Sequence, residues 1–466
     1  MLLQRYEDTK KYSKIMKELT EKKWMLLLDL MEKGEIEQLI RSLSTFHPED
    51  VAEWLSDCDQ RERVEILRNL PLKIAGEVLD TIPSPIRAAL VRELSPALLG
   101  DILEKMPPEE AAEVISEMKP QKAPEVLKEL SRQESSEIQQ ILAYPEDSAG
   151  RIMDTDLISI KAEMSVEEAI ALIKRSTIEE TLYSVYAIDP EEKLLGIVPL
   201  RDLLTSPRQI PLASIMKEPI ATVFPDTDQE AAAQLVKKYD LSVLPVITED
   251  GRLVGRITAD DIIDIIDEET SEDIYRMAGT DEEELRVTSS FKIARIRLPW
   301  ILICIIGSFL SALVISSFEM TLERVISLVA FIPMITATGG NVGLQSSSIV
   351  IRGLALGMLK SSNLWNEVIK QIKVALWLGL ACGAILAAIG LCWGDANPGI
   401  LGAVVGLSMF LAVTFSTLTG VLIPLTFHQL KIDPAIASGP LITTLNDVLG
   451  IALYLTSATI MLGWFT

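Results

Sequence analysis

Histidine and cysteine are scarce in this sequence: its 466 residues include two histidines and four cysteines. His47 and His428 are far apart, and the cysteines show no close metal-ligand spacing. The sequence therefore has too few of these residues for a histidine metal site or a Ser-His triad to be expected. We predict that the protein is not an enzyme. Cys304, Cys382 and Cys392 lie in or beside long apolar segments, where cysteine serves as a small apolar side chain.

Positive charge is also in short supply. The formal net charge is -23, with 66 acidic residues against 43 basic ones. From Leu298 onwards the two signs balance at six each, so the whole excess lies in residues 1–297. Such a surface repels nucleic acid and attracts cations, so we expect no nucleic-acid partner and favour divalent ions.

A signal peptide is not expected, because residues 1–23 are charged and lack an apolar core. The C-terminal part, 298–466, instead contains five apolar stretches that are each long enough to cross a bilayer: 298–318, 325–351, 371–394, 399–425 and 436–465. Nine Lys or Arg residues flank these spans on one side and only Arg324 on the other. The charge rule then places the N-terminal part in the cytoplasm and the C-terminus outside the inner membrane.

Residues 1–147 have a regular spacing of prolines. Prolines recur every 11 to 13 residues from Pro71 to Pro120, and most precede a short apolar-periodic run such as EEAAEVISEM (109–118). A proline at the first position of a helix is harmless because its missing N–H would have no partner there. The pattern predicts an all-α superhelical domain that acts as a scaffold; alternatively, its acidic face helps to bind cations.

A second repeat follows, with an offset of 59 to 63 residues, and divides the chain into copies at 148–208 and 209–268. Each copy is predicted to contain a leading strand, a capped helix, a hairpin of β-branched strands and a closing helix. The copies resemble a tandem CBS domain, an α/β module that typically senses adenine nucleotides. Gly255, Thr258 and Asp261 fit the expected Gly-x-x-Thr-x-x-Asp pattern, whereas the first copy has Pro199 in place of the hydroxyl. The resemblance therefore implies at most one ATP-type site, or a structural module that forms a dimer.

Between the second copy and the first span lies an acidic connecting helix region, 269–297, that continues a run of acids starting at Asp260. From Asp260 to Glu284 there are twelve acids and one base, Arg276. Like charges four residues apart destabilise an isolated helix, and a divalent cation between them would reverse the sign. The candidate Mg²⁺ ligands are Asp260, Asp264, Glu268, Glu269, Glu272 and Asp273. The alternative is a solvated acidic linker.

The spans themselves carry polar groups that a simple anchor does not need. Asp447 lies in the middle of the fifth span, where an ionised carboxylate costs roughly 2.5 to 3.5 kcal/mol. In the second span, Pro333 and Gly339 with Gly340 are predicted to interrupt the helix beside the polar Asn341. Together with Thr443, these groups offer oxygen ligands with one carboxylate, which suit Mg²⁺.

Pairs of small residues four apart predict close helix packing in the third and fourth spans. They are Gly379 with Gly383 and Gly402 with Gly406.

The order of these parts resembles the MgtE family of magnesium channels over the full chain. The matching motifs are YPEDSAGRIM (144–153), IPMITATGGNVGLQSS (332–347), VIRGLALG (350–357) and DPAIASGPLITTLNDVLG (433–450). The resemblance implies a homodimer in the lipid bilayer, with Asp447 lining the pore, a plug helix from about Asp264 to Met277, and closure by Mg²⁺ bound to cytosolic carboxylates. Ala337 and Leu344 depart from the family pattern.

The sequence thus predicts a multidomain membrane protein that imports Mg²⁺ and is closed by the same ion. Two alternatives remain. Oxygen ligands discriminate poorly among divalent ions, so Mn²⁺, Co²⁺ or another divalent cation is a rival cargo. A membrane-tethered nucleotide sensor without conduction is the rival of another class, and Asp447 argues against it.

Overall fold

The computed structural model describes residues 24–25, 27, 29–31, 33–176, 182–281, 283–287, 289–359, 364–393, 397–437 and 439–465. Residues 1–23, where no signal peptide is expected, lie outside this description. The chain forms two compact units, Met1–Asp264 and Ile265–Thr466.

The N-terminal part of the first unit is a series of short helices. Prolines open several of them, as at Pro48, Pro96 and Pro108, and Asp59 forms a capping box with Glu62. The helices are α1 (Ile36–Leu43), α2 (Pro48–Asp57), α3 (Gln60–Asn69), α4 (Leu72–Thr81), α5 (Ser84–Glu93), α6 (Pro96–Leu103), α7 (Pro108–Ser116), α8 (Ala123–Glu129) and α9 (Arg132–Leu142).

Each of these helices packs mainly on the next but one, α1 on α3, α2 on α4, and so on to α7 on α9. The alternation makes two rows of helices around one continuous apolar core that includes Leu39, Leu55, Leu79 and Leu99. A single helix of this length cannot cover its own apolar face, so each depends on its neighbours. The superhelical all-α prediction is confirmed.

The α/β part of the first unit contains the two predicted copies. Its elements are α10 (Ala149–Ile152), β1 (Ser159–Lys161), α11 (Val166–Ile173), β2 (Ser184–Ile188), β3 (Leu194–Pro199), α12 (Leu200–Thr205), α13 (Gln229–Tyr239), β4 (Val243–Ile247) and β5 (Leu253–Thr258). In the first copy β1 runs parallel to β2, which pairs antiparallel with β3; in the second, β4 pairs antiparallel with β5. The tandem CBS fold is confirmed.

The segments that lead into the two copies pair with the opposite copy. Asp154 bridges to Arg256 on β5, and Lys217 bridges to Ile197 on β3. Arg256 is fully buried and its guanidinium donates to Asp154 Oδ2 at 2.6 Å. The two copies therefore share their edges, and each repeat taken from the sequence pairs with a strand of the other.

A single helix, α14 (Ala259–Ala278), follows β5 directly. The closing helix of the second copy and the connecting helix are thus continuous, and the predicted boundary at 268/269 falls inside it. A short helix, α15 (Glu283–Arg286), leads to the first span, and Arg297 on that span forms an ion pair with Glu284.

Among its described residues, the second unit contains five helices long and apolar enough to cross a membrane, as predicted. They are α16 (Ser290–Ser317), α18 (Ile332–Ala355), α19 (Leu364–Leu391), α20 (Pro398–Gln429) and α21 (Gly439–Phe465), with the short α17 (Glu319–Arg324) after the first. The helix α18 packs on α20 and α21, and α16 packs on α21.

The predicted interruption of the second span is wrong. Residues Ile332 to Ala355 form one continuous helix, with Pro333 in its first turn, where a proline costs little. Gly339 and Gly340 do not break it because both are buried against neighbouring helices: a Cβ on Gly339 would lie 3.0 Å from Ser416 Oγ, and one on Gly340 would lie 3.2 Å from Thr443 Cγ2.

The predicted close packing of the third and fourth spans is confirmed. A Cβ on Gly383 would lie 2.7 Å from the Gly406 carbonyl oxygen, and one on Gly406 would lie 2.7 Å from Ala387 Cβ. A Cβ on Gly402 would lie 2.8 Å from the Ala387 carbonyl oxygen. Only glycine lets the two backbones approach so closely.

Candidate functional site

The carboxylate of Asp447 lies in the first half of α21, and its side chain is half-buried. Thr443 lies one turn earlier on the same helix, and residues four apart share a helix face. The Thr443 methyl group packs against Gly340 of α18, the residue before Asn341. Asn341, Thr443 and Asp447 therefore belong to two spans in direct contact.

The face of α18 that bears Asn341 is exposed in this chain. Ala337, Asn341 and Gln345 follow one another at intervals of four residues, and all three are exposed. Two amides on the outside of an apolar span have no favourable contact with lipid. Ala337 also means that this face carries no carboxylate of its own, so Asp447 would be the charged group of the site. Leu344 is half-buried beside this stripe.

Asn446 is oriented differently from the predicted ligands. Its side chain is 2% exposed, and its Oδ1 accepts a hydrogen bond from the Thr419 hydroxyl at 2.7 Å. The amide of Asn446 thus forms a hydrogen bond between the fourth and fifth spans.

The predicted cytosolic Mg²⁺ ligands, Asp260, Asp264, Glu268, Glu269, Glu272 and Asp273, all lie on α14. Over the described part of the chain, no three His, Cys, Asp or Glu side chains converge in a metal-binding group. These residues therefore form no ready-made site in the described part of the chain, and a cation among them would need further ligands or a rearrangement.

Asp80 at the end of α4 is a potential cation ligand that sequence reasoning missed. Its burial, the charge of Glu113, and those of Asp264 and Asp261 raise its pKa to about 6, against the opposing effect of Arg87. Carboxylates from α4, α7 and the start of α14 thus influence one another inside the first unit. Asp80 follows a buried Leu79 in an ordinary helix, and no local signal distinguishes it.

Arg87 stands at the centre of these acids. It is buried, forms ion pairs with Glu113 and Glu117, and donates to the Asp80 carbonyl oxygen at 3.0 Å. A buried guanidinium requires such partners, because an isolated charge is costly in a low dielectric. Arg87 therefore compensates the charges of Glu113 and Glu117. Asp80 remains the carboxylate of the group whose ionised form is disfavoured.

A second junction lies within the second unit, where the C-terminal part of α14 meets the spans. Arg276 forms ion pairs with Glu272 on its own helix and with Asp433, between the fourth and fifth spans. Arg352, at the end of the second span, donates to the Thr270 hydroxyl at 3.3 Å.

Asp273 faces the same junction. Burial raises its pKa and the charge of Asp433 adds to this effect, while Arg352 and Arg276 oppose it. The sequence could not have paired these groups, since Asp433 lies more than 150 residues away along the chain.

Two glycines bring the end of α14 against the start of α21. Gly439 has a φ of +38° and lies so close to the Met277 carbonyl that an added Cβ would collide with it. Gly279 has a φ of +76°, and a Cβ there would lie 2.8 Å from Pro440 Cγ. The connecting helix therefore ends on the N-terminus of the span that carries Asp447.

In the second CBS copy, Thr258 and Asp261 lie together at the junction of β5 and α14. The Thr258 hydroxyl and amide both donate to Asp261 Oδ2, at 2.6 and 2.8 Å. Burial raises the pKa of Asp261, and these hydrogen bonds oppose the shift. The second copy therefore brings one hydroxyl and one carboxylate into direct contact where the strand ends.

Close packing explains why the third member of that motif, Gly255, is a glycine. A Cβ there would lie 2.6 Å from Met153 Sδ and 3.0 Å from the Asp154 carbonyl oxygen. In the first copy, Pro199 begins α12 and Asp202 forms an ion pair with Lys217 at 2.6 Å. The first copy thus lacks the hydroxyl and has its carboxylate engaged.

Comparison with known families finds matches along most of the chain. Residues 332–457 match the divalent cation transporter family MgtE, residues 46–147 match the MgtE intracellular N domain, and residues 149–208 and 212–268 match the CBS domain.

Individual relatives agree. The magnesium transporter MgtE of Thermus thermophilus is 36% identical over 323 residues, which cover 68% of this chain and 71% of the relative. That of Bacillus subtilis is 35% identical over 321 residues, covering 68% and 70%. A solved structure, the cytosolic domain of the Mg²⁺ channel MgtE in complex with ATP, is 30% identical with a TM-score of 0.50, and covers 52% of this chain and 99% of its own. The chain belongs to the MgtE family of magnesium transporters.

Proposed function

We propose that this protein is a homodimeric Mg²⁺ channel that imports the ion across the inner membrane, with the N-terminal part in the cytoplasm and the C-terminus outside. The observation that carries the proposal is Asp447, a carboxylate in the first half of a membrane span. A dication entering a low dielectric needs a negative partner, and Mg²⁺ keeps much of its water and uses few carboxylates.

A second copy of the chain would complete the pathway. Within one protomer the amides of Asn341 and Gln345 are exposed on an apolar span, and Asp447 is half-buried. A two-fold interface formed by this face would give every such group a counterpart and leave a polar passage between the copies. The side chains of Asn341 and Thr443 would then contact the hydration shell of the ion.

The test is Mg²⁺ flux into liposomes that contain the purified protein. Asp447→Asn should lower flux by about tenfold or more, since only about 1.4 kcal/mol of lost stabilisation costs a factor of ten. Glu319→Gln is the matched control, because Glu319 is an exposed carboxylate outside the long spans. Wild-type flux in Asp447→Asn would exclude the pore assignment, and equal flux of Mn²⁺ or Co²⁺ in wild type would favour the broader cargo.

We further propose that α14 closes the channel when cytosolic Mg²⁺ binds between its carboxylates and those facing them. The junction of Arg276 with Asp433 and the contact of Gly439 with Met277 would transmit the position of this helix to the fifth span. Asp80 and Glu113 would add ligands from the N-terminal helices to Asp261 and Asp264.

An adenine nucleotide, ATP first, is proposed to bind the CBS copy that contains Gly255, Thr258 and Asp261. The support is the hydroxyl and carboxylate at the start of α14 and the relative whose cytosolic domain was solved with ATP. Calorimetry on the full chain with ATP, AMP and GTP checks this. Thr258→Val should weaken binding, whereas Asp202→Asn in the first copy should not. Absence of heat with all three nucleotides would leave the pair as a structural module.

A further inference from the structure

Asn446, the residue before Asp447, lies where three spans converge. Its side chain is almost fully buried, and its Oδ1 accepts a hydrogen bond from Thr419 on α20. On the other side it faces Gly343 of α18, where an added Cβ would collide with Asn446 Nδ2. The amide of Asn446 is thus held between α18 and α20.

The positions around Asn446 require glycine, because a Cβ atom there would collide with the neighbouring helix. A Cβ on Gly420 would collide with the Gly343 carbonyl, and one on Gly343 would also lie 3.2 Å from the Ser416 carbonyl oxygen. The two glycines bring α18 and α20 so close together that Asn446 fills the remaining space between them.

Packing alone does not explain an asparagine at this position. Its Nδ2 is buried and has no hydrogen-bond partner among the described residues. A buried amide donor without a partner costs free energy, and an apolar side chain at this position would not carry that cost. Asparagine instead forms a hydrogen bond with Thr419 on α20. Such a bond is directional and constrains the rotation of α21 about its own axis.

We propose that Asn446 is a positioning residue for Asp447. The next residue along a helix points about 100° further around the axis. By fixing the rotation of α21, the hydrogen bond between Asn446 and Thr419 fixes the direction of the Asp447 carboxylate. This inference rests on the proposed conduction through Asp447.

The experiment removes the hydrogen bond by changing Thr419, the partner of Asn446 on the neighbouring helix α20. Thr419→Val keeps the shape of the side chain and removes the donor, and Thr419→Ser keeps the donor. Thr417→Val is the matched control, because Thr417 is buried on the same helix and its hydroxyl donates only to the Val413 carbonyl at 2.9 Å. Asn446→Ala removes the hydrogen bond from the other side without adding volume to the tightly packed site.

Three readouts are compared in the full-length protein: Mg²⁺ flux, the ratio of Mg²⁺ to Ca²⁺ flux, and the thermal unfolding midpoint. A fourth readout follows the position of residue 447 without any conduction. In Asp447→Cys, with the four native cysteines replaced by alanine, the rate of modification by a cationic thiol reagent reports the direction of that side chain.

We expect Thr419→Val and Asn446→Ala to lower the Mg²⁺ to Ca²⁺ flux ratio and to change the modification rate at residue 447 by about two- to tenfold, the equivalent of one net hydrogen bond. Thr419→Ser should behave as wild type, and so should Thr417→Val. A fall in the unfolding midpoint with no change in flux ratio or modification rate would overturn the proposal, because Asn446 would then serve packing alone. If Asp447→Asn itself keeps wild-type flux, the proposed function fails instead.

Discussion

At the scale of single residues, Asp80 combines a structural cost with a proposed use. Burial and the neighbouring acids raise its pKa to about 6 from an ordinary value of 3.8. A carboxyl whose folded pKa is raised binds its proton more tightly in the folded state. The cost is therefore absent below about pH 4, grows as the pH rises to 6 and is complete above it.

Replacing Asp80 by asparagine removes that cost. We expect Asp80→Asn to stabilise the N-terminal helices by about 1 to 3 kcal/mol at pH 8, and to have almost no effect at pH 4. Urea unfolding of the full-length protein at both pH values measures the difference. Glu77→Gln, an exposed position on the same helix, is the control. Equal stabilisation at both pH values would show that ionisation of Asp80 is not the cause.

At the scale of helices, the third and fourth spans depend on glycine. Gly406 has Ala387 and the Gly383 carbonyl within 2.8 Å of where its Cβ would lie, whereas nothing lies within 4 Å of a Cβ on Gly399. A larger side chain should therefore be destabilising at Gly406 and tolerated at Gly399, although both glycines lie on the same helix.

Gly406→Leu should separate α19 from α20 and destabilise the protein by roughly 1 to 3 kcal/mol or more, because overpacking forces backbone shifts. Gly399→Leu should leave the unfolding midpoint nearly unchanged. Thermal unfolding of both variants in detergent provides the comparison. Equal midpoints for the two would mean that the helices adjust without strain.

The connecting helix α14 is attached to the spans by charge as well as by packing. Arg276 on this helix forms ion pairs with Glu272 and Asp433, and the paired side chains are about two-thirds buried. Partly exposed ion pairs contribute little individually, so the effect of losing this one should be local rather than global.

Arg276→Gln should speed hydrogen exchange in residues 266–278 by about two- to fivefold, the equivalent of 0.5 to 1 kcal/mol. Arg252→Gln, which breaks an exposed ion pair with Asp250, serves as the control. Unchanged exchange in Arg276→Gln would show that the glycine contacts with the fifth span hold the helix without the ion pair.

At the scale of the whole molecule, the proposed switch needs several ions. Moving a two-state equilibrium from 1:99 to 99:1 requires roughly 5.5 kcal/mol of differential binding, more than one weak site supplies. The carboxylates are distributed accordingly, with no group of three in metal-binding geometry among the described residues. Cooperation among several sites along α14 and the helices that face it is the expected form of sensing.

Neutralising four acids of α14 should therefore weaken the inhibition of flux by cytosolic Mg²⁺. The variant replaces Asp260, Asp264, Glu268 and Glu272 by asparagine or glutamine. Its charge-matched control neutralises four exposed acids of α2: Glu49, Asp50, Glu53 and Asp57. Flux is measured against cytosolic Mg²⁺, and inhibition curves that coincide with wild type would assign the acidic stretch to a solvated linker.

The sequence by itself determined the elements of this protein. Proline spacing, β-branched hairpins and long apolar stretches act through local backbone preferences and burial, so they predict the short helices, the CBS copies and the five spans. It also singled out Asp447, because a carboxylate in an apolar segment is conspicuous without any knowledge of its neighbours.

Only the tertiary structure decided what those elements bring together. Asp80 with Asp264, Arg276 with Asp433, and Asn446 with Thr419 are each far apart in the chain, and a local pattern contains no information about such partners. The same reason explains the second span: Gly339 and Gly340 read as helix breakers locally, but the helix continues because Ser416 and Thr443 pack where their side chains would be. Burial against a neighbouring helix outweighed the intrinsic preference of glycine.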